Sequence, residues 1–147
     1  MKSRILLYLA IGLFILGTAW FIFSKRGYGP GQVLPATINR DCAPWDGAAF
    51  TVKIPASAGA MISASIYQSP EIALPVTFSF PDETGRTGNA LVLLPVGEPA
   101  ELSGKVSFQG IEPGTPVDGR FDLLSETGQV FQGKFRADWG NEIVMCG

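Results

Sequence analysis

The chain of 147 residues contains no histidine. That removes the side chain whose charge changes near neutral pH, the usual general base and the commonest metal ligand. A Ser-His-Asp triad is impossible, and a cysteine nucleophile would lack its activating partner. Cysteine is scarce as well, limited to Cys42 and Cys146. Two thiolates without imidazole offer too few soft ligands for zinc, so no metal site is expected. Basic charge is thin beyond the N-terminus. From Gly27 onward seven Lys and Arg face all thirteen Asp and Glu, a balance of about −6. With no basic stripe, nucleic acid is not an expected partner. Anionic lipid surfaces would repel such a domain mildly. No cofactor is expected either. Gly27-Tyr28-Gly29-Pro30-Gly31 is followed by neither a Lys-Ser/Thr pair nor a helix, as a phosphate loop requires.

What the sequence does have begins with Ile5 to Phe23, nineteen residues without a charge. As a helix this run spans close to the ~30 Å hydrocarbon core of a bilayer. Tyr8 lies near one end and Trp20 near the other, where amphipathic rings favour the headgroup level. The expectation is a retained membrane anchor over residues 1–24. The alternative is a signal peptide cleaved after Gly17-Thr18-Ala19, which would leave Trp-Phe-Ile-Phe at the new terminus. Lys2 and Arg4 on one side nearly balance Lys25 and Arg26 on the other, so charge alone does not orient the segment.

Residues 25–40 hold several Gly and Pro and read as a linker, although 32–38 would also serve as an edge strand. Residues 41–147 form the expected domain, bracketed by Cys42 and Cys146. A disulfide between them would pin both ends and belongs to an oxidising compartment, which places the domain outside the cytoplasm, in the periplasm or at the cell surface. Within it, short apolar–polar alternations are separated by turn residues: 50–54, 61–68, 76–80, 90–94, 103–109, 119–125, 129–138 and 142–145. About eight strands at this spacing, with no convincing helix, predict an all-β fold: an antiparallel β-sandwich or small open barrel of seven to nine strands.

One hairpin can be placed in register. A three-residue loop Glu126-Thr127-Gly128, with Gly128 in the left-handed region, sets Ser125 against Gln129. Leu123 then pairs with Phe131, Phe121 with Gly133, and Phe135 with Gly119. Each Phe ring can cover the glycine opposite. The other face carries Asp118 opposite Arg136, Arg120 opposite Lys134, and Asp122 opposite Gln132. Arg120 and Lys134 are like charges, expected to be relaxed by Asp118 and Asp122 on the diagonals. Asp118, Asp122 and Asp138 alternate with Arg120, Lys134 and Arg136 and read as a solvated sheet face, without the unlike environments of a catalytic carboxylate pair. Asp82-Glu83-Thr84-Gly85 matches no calcium-loop spacing and reads as a polar loop.

The most distinctive stretch is Asp41-Cys42-Ala43-Pro44-Trp45-Asp46-Gly47. Trp139 lies seven residues before Cys146, so the disulfide would bring both tryptophans to one end of the domain. There they would either plug the core or form an aromatic platform, with Asp46, Asp138 and Asn141 as polar partners for a saccharide. The functional expectation is an anchored, non-enzymatic domain that binds an envelope protein partner, with a saccharide-binding module as the alternative.

Overall fold

The apolar–polar alternations fold as eight β-strands, seen in a computed structural model that describes residues 31–141 and 144–146. The expected anchor lies outside the described residues. The strands are β1 (Val33–Cys42), β2 (Ala48–Pro55), β3 (Met61–Ile66), β4 (Val76–Phe80), β5 (Gly88–Leu93), β6 (Ala100–Phe108), β7 (Val117–Ser125) and β8 (Val130–Trp139). A single 3₁₀ turn, Ser57–Gly59, joins β2 to β3, and no α-helix occurs among the described residues.

Seven strands close into a barrel in the order β1-β2-β3-β5-β6-β7-β8. All neighbours are antiparallel except β8 and β1, which run parallel from Val33↔Lys134 to Ile38↔Trp139 and complete the ring. The sheet is thus neither a sandwich nor an open barrel, and it is not wholly antiparallel. The reason lies in the segment read as a linker. Leu34, Ala36 and Ile38 alternate inward and are buried, which makes 33–40 part of a strand and gives β8 the partner it needs. Of the strand expected over 142–145, Val144 and Met145 carry no strand, and Glu142 and Ile143 lie outside the described residues.

β4 is the extra strand. It and β5 share one edge of β6. Leu91 and Val92 of β5 pair with Glu101 and Ala100, and β4 then takes over from Gly104 to Phe108. The handover is crowded, and glycine makes it possible. Gly104 opposes Phe80, the last residue of β4, at a φ of 132°, and a Cβ there would lie 2.2 Å from the Asp122 carbonyl oxygen. Gly88, the first residue of β5, has a φ of 145° and a Cβ would meet the Ser65 carbonyl oxygen at 1.8 Å. No other residue type fits either backbone at that approach.

The interior is filled by side chains. Phe108 packs edge-on against Phe50, Phe78 and Phe135, with centroids 5.7, 5.9 and 5.7 Å away. Ala36, Ala64, Ala90 and Ala137 make room for these rings. The β7–β8 register is the one expected from the sequence, from Asp118↔Arg136 to Leu123↔Phe131. Gly128 has a φ of 82°, and the rings of Phe121 and Phe135 occupy the space where Gly133 and Gly119 would carry a Cβ.

Candidate functional site

The two cysteines meet. Cys42, at the end of β1, is bonded to Cys146 with Cα atoms 5.6 Å apart. The aromatic platform does not assemble around them. Trp45 sits in the tight loop between β1 and β2, closed by Ala43 N–H to the Gly47 carbonyl and Asp46 N–H to the Ala43 carbonyl. Asp46 takes a φ of 62°, a conformation aspartate tolerates. From that loop Trp45 meets Tyr67 edge-on at 5.3 Å and remains 54% exposed. Trp139 ends β8, on the other side of β1. It packs against the core, and its indole N–H donates to the Glu112 carbonyl at 3.0 Å. Its polar handle is therefore already used. Asp138 alternates to the outside beside Thr37. Asn141 lines a shallow groove with Arg40, Pro113, Trp139 and Val144. Trp139 and Asn141 thus share one groove, whereas Trp45 and Asp46 lie in the β1–β2 loop and Asp138 faces outward beside Thr37.

Beneath the Trp45 loop, the Thr51 hydroxyl donates to Asp41 Oδ2 at 2.7 Å and shares a 2.9 Å hydrogen bond with the Ser65 hydroxyl. Asp41 also accepts from the Cys42 amide at 2.8 Å. These bonds tie β1, β2 and β3 together near the disulfide and leave Thr51 satisfied although buried.

The polar loop after β4 is organised by Asp82. Its Oδ2 accepts from the Thr87 hydroxyl, the Thr84 hydroxyl at 2.9 Å and the Thr87 amide at 3.1 Å. Oδ1 is enclosed and accepts no hydrogen bond from the described residues. The Thr87 hydroxyl is the largest influence on the carboxyl. Burial opposes it, and the Thr84 hydroxyl and the amides of Thr87 and Gly85 add to it, so the group ionises below its ordinary 3.8. A depressed folded-state pKa stabilises the fold above the unfolded value, and that contribution is lost as pH falls through the folded value. Asp82→Asn is expected to lower Tm at neutral pH, with the gap to the parent closing in acid below 3.8. Thermal unfolding followed across that range checks this, and a gap that stays constant with pH would sink it.

A second groove, of about 560 Å³, lies on the outer wall of β6, β7 and β8 and includes Lys105, Arg120, Asp122, Gln132 and Lys134. Asp118 forms its ion pair with Arg136, at 3.0 Å. The sequence carried the signal for this groove in the Arg120–Lys134 pair, but the expected relaxation by diagonal carboxylates concealed it.

Comparisons with protein families, with curated proteins and with solved structures find no match to this chain.

Proposed function

We propose that this chain is a membrane-anchored, extracytoplasmic barrel domain that acts without catalysis, by binding a protein partner within an envelope assembly. The observation that carries the reading is the outer edge of β4. The other strands each have a ladder partner on both sides, whereas β4 is paired with β6 alone among the described residues. An unpaired edge is a template for strand addition, and a closed wall elsewhere limits that docking to one place. The uncharged run Ile5–Phe23 supports the anchor, and the Cys42–Cys146 disulfide supports an oxidising compartment. The second reading, a saccharide-binding module, is favoured by the exposed Trp45 ring set against Tyr67.

A photo-crosslinking side chain placed at Ser79, on β4, tests the edge in full-length protein within the membranes of its own cell. Ser63, on β3, is the control position. One protein captured in near-stoichiometric yield from Ser79 and not from Ser63 is the expected result. Equal capture, or none, would remove edge docking. The reading would then move to the saccharide module, in which Trp45→Ala abolishes fluorescence quenching by envelope glycans.

A further inference from the structure

One groove in the wall formed by β6, β7 and β8 runs against the charge of the domain. Ser107, Arg120 and Lys134 form one outward register row, and Lys105, Asp122 and Gln132 form the next. Arg120 is directly opposite Lys134, and like charges in that position destabilise a sheet. The one carboxylate that lines the groove with them, Asp122, is directly opposite Lys105. The ion pairs among the described residues are Arg40–Glu71 and Arg136–Asp118, so Lys105, Arg120 and Lys134 belong to none. Three cations and one carboxylate, Asp122, therefore line one groove in a domain rich in acids. Screening confines each charge to about 8–10 Å, so acids on other walls do not cancel the groove.

Apolar side chains stand beside the cations. Leu124 lies opposite Val130 at the hairpin end of the wall, 43% and 59% exposed. Val33, 51% exposed, is in register with Lys134. The chain arrives at this same place, since Gly31 and Gln32 line the groove. Residues 24–30 separate Gly31 from the uncharged run ending at Phe23, a reach of at most ~25 Å when fully extended.

We infer that this wall is a membrane-docking face for an anionic bilayer. Phospholipid phosphates seat among Lys105, Arg120 and Lys134, while Val33, Leu124 and Val130 enter the headgroup region. The barrel then lies on its side against the membrane. The short tether belongs to the anchored reading proposed above, whereas the charge and apolar pattern stand without it.

The test uses the full-length chain reconstituted into vesicles of phosphatidylcholine, with or without phosphatidylglycerol. A fluorophore is attached at Val130→Cys, or at Ser63→Cys on the far side of the barrel, and its quenching by aqueous acrylamide is read. With phosphatidylglycerol present the Val130 label is expected to be shielded and the Ser63 label exposed. Without it both are exposed. Each basic side chain at an anionic surface contributes about a fivefold preference, so Lys105→Gln, Arg120→Gln and Lys134→Gln together reduce the docked-to-undocked ratio by about a hundredfold and restore quenching. Equal quenching of the Val130 label in both vesicle types overturns the docking face. Resistance to alkaline extraction reports the anchor separately. A resistant chain with an unshielded Val130 label keeps the anchor and loses the docking face. An extractable chain whose label is still shielded by phosphatidylglycerol does the reverse.

Discussion

Opening the Cys42–Cys146 disulfide is expected to remove roughly 4–5 kcal/mol of stability, the largest effect of any small change to this domain. The bond closes a separation of 104 residues and so restricts nearly the whole unfolded domain. Chain-entropy reasoning assigns about 4.7 kcal/mol to a loop of that size. It also holds the far end of β1 to the tail beyond β8, while the parallel ladder secures the first half of β1. Against a total stability of about 5–15 kcal/mol, the loss leaves a marginal domain, with Tm lowered by roughly 15 °C or more. Cys42→Ser, Cys146→Ser and the double substitution all open the same loop and should cost nearly the same. Thermal and urea unfolding of the three variants, compared with the reduced parent, check this. A double variant twice as destabilised as either single would show that the thiols act through local packing instead.

Phe108→Ala is expected to cost about 3–5 kcal/mol. Phe108 is 2% exposed and sits between three other rings, all within 6 Å and all edge-on. Truncation loses the buried area and the three aromatic contacts, and it leaves a cavity whose walls belong to a closed barrel. A sheet with free edges can slide inward to fill a void, whereas a ring of seven hydrogen-bonded strands yields less. Phe108→Leu keeps most of the volume and is expected to cost about 1–2 kcal/mol, so it reports on the site even where the alanine variant fails to fold. Denaturant unfolding of both variants gives the comparison. Equal losses from Leu and Ala would mean that the rings do not organise the core.

Most strands were legible because their period of two is unbroken: Phe78 and Phe80, Val106 and Phe108, Phe121 and Leu123 point inward in turn. The β7–β8 register followed from Gly128 and from the glycine opposite each phenylalanine. The closure was not legible. β1 carries Pro35 among several linker-like residues, and proline ordinarily argues against a central strand. On the β2 side the ladder begins only at Thr37, so no partner strand there calls for an N–H from Pro35. A parallel pairing between the first strand and the last also leaves no local turn to announce it. The tryptophan site misled for a related reason. The disulfide brings the chain ends together, but β1 lies between the two indoles, and Trp139 spends its N–H on the Glu112 carbonyl. The cationic groove depended on which partner Asp118 would choose, and two basic neighbours were open to it in the register.

The parallel seam also sets an order in time. β1 is the first strand of the domain to be synthesised, and β8, which covers its open edge, is the last. Until residues 130–139 have appeared, every growing chain exposes the β1 edge, and such edges are where unfinished sheets stick to one another. The ring therefore locks only once residues 130–139 have been made, and a product truncated anywhere before β8 has no route to the finished fold.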